Sequence, residues 1–268
     1  SNWDPKLKTT ISDLEVIQKE VKGSLWYVDY KLENEDKVIT IATTRPETML
    51  GDTAIAVHPE DERFKEFVGK YAYIPIINKK IIIIADEYVK VDQGSGAVKI
   101  TPAHDFNDYE IGKRHNLEVI NIFNENAELN ENCPNEYQNL DRFKARKKIV
   151  NELETIGALN KVEENIHTVP YGDRSGEVVE PWLTDQWFVN AKKLSLNAIN
   201  KVKTKETIFV PQNWEKTYFD WMENIQPWCI SRQLIWGHQI PAWYGPDGEI
   251  FVAENSDEAH KIARERYK

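Results

Sequence analysis

The stretch Gly94-Ser95-Gly96-Ala97-Val98-Lys99-Ile100-Thr101-Pro102-Ala103-His104-Asp105-Phe106-Asn107-Asp108-Tyr109-Glu110 changes character within a few positions. Two glycines permit a turn. Ala97 to Thr101 then reads as a short strand on which Lys99 and Thr101, two apart, share one face. Pro102 has no N–H to give a ladder and ends the strand. Asp105 suits a helix N-cap, and Asp108 falls three residues later, where an acidic side chain can reach back. A helix starting there sets both carboxylates close together on its first turn. The outcome is a strand-to-helix corner with one ammonium, one hydroxyl and two carboxylates in a small volume. A plainer account fits the same residues: an acid three positions after a cap is ordinary helix-start chemistry, and a strand lysine is commonly a solvated charge.

Upstream of the corner, Leu25 to Leu32 and Lys37 to Thr43 read as two strands around the turn Glu33-Asn34-Glu35-Asp36. The second runs into Thr43-Thr44-Arg45-Pro46-Glu47-Thr48, where Pro46 ends it. A threonine-rich strand end with an arginine can bind ribose or phosphate, or can be a plain edge strand. Gly51-Asp52 turns into the strand Thr53 to Val57, Asp61 to Val68 reads as a short helix closed by Gly69, and Ile74 to Ile77 pairs with Lys80 to Ala85 around Asn78-Lys79. Downstream, the corner helix runs to about Asn116, and Leu117 to Phe123 reads as another strand. Asp141 caps a four-turn helix whose apolar residues Phe143, Ile149, Val150, Leu153 and Ile156 recur at helical spacing. His167 begins an extended return; Lys192 to Val202, Glu215 to Met222 and a charged stretch from Asp257 read as helices. Many short strands interrupted by a few helices predict an α+β fold with a curled, barrel-like mixed β-sheet core and peripheral helices.

Composition bounds the function. The 268 residues suffice for one large domain or two smaller ones, and 41% hydrophobic with 29% charged residues is the balance of a soluble globular chain. The longest apolar run, Ile81 to Ala85, is strand-sized, and the polar start is no signal peptide. Cys133 and Cys229 are too few for a disulfide framework, which points to a reducing, cytoplasmic setting. A net charge of −10 argues against general nucleic-acid binding, despite lysine clusters around 144–148, 192–193 and 201–205. Five of nine tryptophans fall between Trp214 and Trp243, which suggests a division into residues 1–210 and a Trp-rich part at 211–268. His104, Asp105 and Asp108 lack the spacing of a zinc site. There is no Gly-x-Ser-x-Gly elbow, no Walker loop and no dinucleotide fingerprint. The residues alone yield a polar pocket with no nucleophile and no named substrate.

The motifs Thr43 to Thr48, Gly51-Asp52-Thr53-Ala54 and Gly94 to Gly112 resemble the editing domain inserted into class I aminoacyl-tRNA synthetases for branched aliphatic amino acids. Within that family the chain is similar to the valyl branch. Trp3-Asp4-Pro5, Lys99 to Asp105, Asp185-Gln186-Trp187-Phe188-Val189, Ile230-Ser231-Arg232-Gln233 and Trp236-Gly237-His238 carry the likeness, which covers essentially the whole chain. The lysine before the Thr-Pro-Ala-His-Asp run sets it apart from the leucyl and isoleucyl members. The family's ATP-binding signatures His-Ile-Gly-His and Lys-Met-Ser-Lys-Ser are absent. The resemblance therefore implies an editing domain with an adjoining edge of the catalytic domain, unable by itself to activate an amino acid.

It also implies an activity: hydrolysis of threonine wrongly esterified to the 3′ acceptor end of tRNA(Val), with threonine and valine as the discriminated amino acids and the rest of the synthetase as partner. Lys99 and Asp105, supported by Thr101, would read the threonine hydroxyl. Asp108, kept ionised by the helix dipole, would hold the α-ammonium. Thr43, Thr44, Arg45 and Glu47 would contact the terminal adenosine, and His104 would orient its neighbours. The resemblance implies a positioned water without covalent intermediate, metal or cofactor, ATP and Mg belonging only to the full-length enzyme. The alternative is a module that docks the acceptor end without turnover.

Overall fold

The computed structural model describes residues 1–268. Two short strands, β1 (Asn2–Asp4) and β2 (Thr9–Ile11), pair antiparallel. Six strands then build the main sheet with a seventh that returns later: β3 (Val16–Leu32), β4 (Val38–Thr43), β5 (Ala54–Val57), β6 (Tyr71–Ile74), β7 (Lys79–Ala85), β8 (Ala97–Ile100) and β9 (Leu159–Gly172). The order is β4-β3-β6-β7-β5-β8, with β9 paired to β3. It is a mixed sheet, since β5 runs parallel to β7 and antiparallel to β8. The sheet curls until its two ends, β4 and β8, face each other with no ladder between them. Gly94, at φ +60°, serves that seam: a Cβ there would stand 2.9 Å from the Ala42 Cβ.

Alternation in β5 explains the two cores. Ile55 and Val57 point into the barrel with Ile39, Ile41, Ile83, Phe123 and Tyr137, while Ala54 and Ala56 face Ile84, Val89, Ile100 and Ile111. Two helices cover the sheet. In α1 (Phe106–Arg114) the buried Ile111 and Gly112 face inward; in α2 (Arg142–Thr155) Ala145, Ile149 and Leu153 do. Asp141 caps α2 through the Phe143 and Lys144 amides, and Gly157, at φ +71°, ends it.

The expected α+β class with a curled, barrel-like sheet is the observed one. Three local expectations are corrected. Leu117 to Phe123 is not a strand: the buried Ile122 amide donates to His104 Nε2 and the Phe123 amide to Asn121 Oδ1, so side chains replace a ladder. Asp61 to Val68 holds turns and one short 3₁₀ segment: its backbone bonds reach three residues back, from the Phe64 amide to the Asp61 carbonyl and from the Phe67 amide to the Phe64 carbonyl. Most consequentially, β3 extends back to Val16 and forms a long two-stranded ribbon with β9. Its polar, weakly alternating sequence hid it, since neither strand finds its partner within local chain distance.

After β9 come β10 (Glu180–Pro181), β11 (Phe188–Val189), α3 (Ala191–Lys203), α4 (Trp214–Glu223) and β12 (Trp228–Cys229). The compact break in the chain falls after Ile230. Beyond it, β13 (Ala242–Tyr244) and β14 (Ile250–Val252) form a hairpin, and α5 (Ser256–Arg266) carries Tyr267, whose ring meets Phe251 edge-on at 5.8 Å. Trp214, Trp221, Trp228 and Trp236 are exposed. No helix is long and apolar enough to cross a membrane.

The face of α2 gives a test. Periodicity treats Ile149 and Ile156 alike, yet Ile149 is fully buried and Ile156 is 53% exposed. Ile149→Ala should cost about 2–5 kcal/mol in denaturant unfolding, and Ile156→Ala less than about 0.5 kcal/mol. Equal losses would contradict this packing.

Candidate functional site

The seam between β4 and β8 opens into a cavity of about 780 Å³. Thr43, Thr44 and Arg45 line it from the end of β4, and Lys99, Thr101, His104, Asp105 and Asp108 from the corner. Of the residues singled out from sequence, Glu47 alone is not in its wall.

Strand register places Lys99. It lies opposite Ile55, so its side chain points to the inner face of the barrel, 7% exposed, and is not a solvated strand charge. An ammonium buried there needs partners. Its Nζ donates to Thr48 Oγ1 at 2.6 Å, Thr101 Oγ1 at 2.6 Å and Asp52 Oδ1 at 3.3 Å. A lysine has three donors, and all three are engaged. Thr101 Oγ1 donates onward to Asp52 Oδ1 at 2.6 Å, and the Tyr30 hydroxyl donates to Asp52 Oδ2 at 2.7 Å. Burial pushes the Asp52 carboxyl up against the pull of Lys99, Thr101 and Tyr30. Burial and the neighbouring Asp52 charge raise the Tyr30 phenol further, which keeps it a donor. Thr48, Asp52 and Tyr30 were missed in sequence. The one available signal was a carboxylate at position 52, two residues before the wholly apolar Ala54–Val57.

Asp105 caps α1 as expected, Oδ1 accepting from the Asn107 amide at 2.8 Å and the Asp108 amide at 3.0 Å. Asp108 does not reach back to the cap. Its Oδ2 accepts from the Thr101 amide at 2.8 Å, a donor left free where β8 ends. No protein donor reaches Asp105 Oδ2 or Asp108 Oδ1. Burial, reinforced by the Asp105 charge and opposed by Lys99, pushes Asp108 up to about 7. The helix dipole alone therefore does not hold it ionised; desolvation outweighs a first-turn effect of about 0.3–1 kcal/mol.

Arg45, Glu47 and His104 serve the frame. Glu47 is fully buried and accepts from Arg45 Nε at 3.2 Å and from Arg146 at 2.7 and 2.8 Å. Burial opposes its charge, but the Arg146 hydrogen bond and the Arg45 charge hold it below the ordinary range. Arg45 also donates to the Glu180 carboxylate at 2.6 Å and the His104 carbonyl at 3.2 Å, and Glu180 in turn accepts from the buried Arg142 at 2.9 Å. The His104 imidazole, pushed down to about 3 chiefly by burial, is neutral; it accepts from the Ile122 amide and meets the Phe123 ring at 4.7 Å. Burial raises the Cys133 thiol to about 12, away from any nucleophilic role. The ribbon supplies the wall that the sequence did not foretell: Leu25 from β3, and Asn165, Ile166 and His167 from β9.

The arrangement presents two unsatisfied carboxylate oxygens to a ligand that carries hydrogen-bond donors, backed by a saturated lysine. Comparison with known proteins gives the family. The model for tRNA synthetases class I (I, L, M and V) matches residues 1–268. The chain belongs to the class I tRNA synthetases. It is similar to the Valine--tRNA ligase of Pelagibacter ubique (strain HTCC1062), 61% identical over 266 residues that cover 99% of this chain and 30% of that protein. The Valine--tRNA ligase of Rhodopseudomonas palustris is 58% identical over 280 residues, covering 96% of this chain and 29% of the relative. This class I chain thus spans about 30% of the length of the curated relatives it matches. A solved LeuRS–tRNA–LeuAMS complex of Agrobacterium radiobacter K84 superposes with a TM-score of 0.42 at 18% identity, over 87% of this chain and 24% of that one, a distant likeness.

The raised Asp108 carboxyl sets a pH dependence. Below about pH 3.8 it is protonated folded or unfolded; between 3.8 and about 7 the unfolded chain has lost its proton while the folded chain keeps it, so this group lowers stability as pH rises. Asp108→Asn removes that loss. Relative to the unchanged chain, the variant should gain about 2–4 kcal/mol between pH 4 and pH 8 in denaturant unfolding. A constant difference across that range would place the Asp108 pKa near its ordinary value.

Proposed function

We propose that this chain is the editing segment of a valyl-tRNA synthetase and hydrolyses threonine wrongly esterified to the 3′ end of tRNA(Val). The observation that carries this reading is the pair of free carboxylate oxygens on Asp105 and Asp108 beside the buried Lys99–Thr101–Asp52 knot. A threonyl ester brings two donor groups, its α-ammonium and its side-chain hydroxyl. Asp108 takes the ammonium, whose charge favours the ionised carboxylate. Asp105 accepts from the hydroxyl, with Lys99 and Thr101 behind it. Thr43 and Thr44 contact the terminal ribose.

Valine is nearly isosteric with threonine but lacks the hydroxyl. An apolar synthetic pocket rejects an added hydroxyl only weakly, a limit for which valyl-tRNA synthetase is itself the standard example. A polar second site does the reverse: valine would leave its acceptors unpaired, at about 1–3 kcal/mol, or about 5- to 150-fold. In the reaction a water oxygen adds to the ester carbonyl, the bond to the ribose oxygen breaks, and that oxygen leaves with a proton as the free hydroxyl. The ester is already reactive, so positioning the water and stabilising the oxyanion suffice. The partner is then the acceptor end of tRNA(Val), entering as a single strand, which is compatible with a net charge of −10.

The direct test is deacylation of threonyl-tRNA(Val), with valyl-tRNA(Val) as control, with and without a chelator. Selective, chelator-insensitive loss of threonine is expected; no turnover by folded protein would reduce the chain to a docking module. Asp108→Ala should abolish deacylation with the fold intact. Lys99→Ala should shrink the threonine-to-valine rate ratio, and an unchanged ratio would remove Lys99 from discrimination.

A further inference from the structure

The proposed hydrolysis needs a hydrogen-bond donor at the ester carbonyl oxygen, where negative charge develops as water adds. The residues grouped with the two acids do not supply it. Lys99 spends its three donors on Thr48, Thr101 and Asp52; Thr101 gives its hydroxyl proton to Asp52 and its amide proton to Asp108. Asp105 and Asp108 are themselves acceptors. Another side chain lines the cavity and carries a donor: Tyr88, in the segment between β7 and β8.

The fold fixes where Tyr88 points. Its neighbour Val89 is buried and packs with Ile111 of α1, whereas Tyr88 is 49% exposed, so the two face opposite ways, Val89 to the core and Tyr88 to the cavity mouth. The turn is held by Asp86: Oδ1 accepts from the Tyr88 amide at 3.0 Å, and the Asp86 carbonyl accepts from the Val89 amide at 3.2 Å. The same buried carboxylate accepts from the Arg114 guanidinium at 2.8 and 3.0 Å and lies 2.8 Å from His115 Nε2, both at the end of α1. Asp105 and Asp108 stand at the other end of that helix, so the tyrosine and the two acids are mounted on one element. Burial and the charges of Asp105 and Asp108 push the Tyr88 phenol up, against the opposing pull of the Asn107 carboxamide. The phenol therefore keeps its proton at neutral pH and acts as a donor. Once the substrate's ammonium and hydroxyl occupy the two carboxylates, the next acceptor is the ester carbonyl, bonded to the carbon that bears the ammonium.

We propose that Tyr88 is a further catalytic residue, whose hydroxyl donates to the carbonyl oxygen of the aminoacyl ester, and that Asp86 is the positioning residue that aims it. The proposal rests on the editing reading of the cavity. Tyr88 transfers no proton. The water oxygen bonds to the carbonyl carbon, the π electrons move onto the carbonyl oxygen, and the Tyr88 hydrogen bond stabilises them there. The pair returns as the bond to the ribose oxygen breaks, and the proton given up by the water ends on that oxygen.

The test compares the 268-residue chain with Tyr88→Phe, which removes one oxygen and keeps the ring. On threonyl-tRNA(Val), kcat should fall at least about tenfold with KM within about twofold, the signature of an interaction made only in the transition state. Affinity for 3′-threonylamino-3′-deoxyadenosine, an amide that is not hydrolysed, should likewise change less than about twofold. Asp86→Asn should lower kcat in the unchanged chain and have little further effect in the Tyr88→Phe background, a coupling that a merely structural role would not produce. A kcat for Tyr88→Phe within about twofold of the unchanged chain, or a loss confined to KM and amide binding, would overturn the catalytic role. Equal losses from Asp86→Asn in both backgrounds would overturn the positioning role. The two readings fail separately: selective deacylation that survives Tyr88→Phe removes Tyr88 alone, whereas no deacylation by the folded, unchanged chain removes the editing function and this assignment with it.

Discussion

A lysine side chain turned into the inside of a β-barrel is the constraint from which the rest of the site follows. Lys99 cannot leave its charge unpartnered in a wall that excludes water, and the wall answers with Thr48, Thr101 and Asp52. Asp52, fully buried, in turn needs the Tyr30 hydroxyl from β3. The knot thereby ties three separate stretches of chain, β3, the turn that ends at Asp52 and the end of β8, and removing one member of such a buried pair generally costs about 3–5 kcal/mol because the other charge is left behind. The same saturation leaves Lys99 no spare donor, so its influence on a ligand runs through the field it sets and through Thr101.

A second charged system holds the loop after β4. Arg146, Glu47, Arg45, Glu180 and Arg142 alternate in sign and join α2, the 46–51 turn and β10. Residues with the look of ligand contacts are here used up as frame. What distinguishes Asp105 and Asp108 is the opposite condition: each gives one oxygen to the backbone and keeps the other free toward the cavity. Recognition capacity lies in what the fold leaves unsatisfied, and the proposed editing chemistry depends on that remainder.

Much of the corner was legible locally. The Gly-rich turn, the short strand, the stop at Pro102 and the Asp105 cap depend on neighbours within a few residues, and each stands as read. The reach-back of Asp108 was misread because its alternative partner, the Thr101 amide, became available only through the strand's end geometry. Leu117 to Phe123 misled for a related reason: its apolar pattern reports burial, and burial was supplied without a ladder by an amide bond to His104.

The sequence by itself determined the fold class, the strand-to-helix corner and, through specific motifs spread along the whole chain, membership in the class I tRNA synthetases. It did so because turn chemistry, capping and alternation are short-range, and because those motifs are long enough to be specific. Only the tertiary structure decided which charges are frame and which face a ligand, that Asp108 sits near 7, and that the β3–β9 ribbon walls the cavity. Those outcomes depend on register between distant strands and on the burial it imposes, and pairing between residues more than a hundred positions apart leaves no periodic trace in either segment.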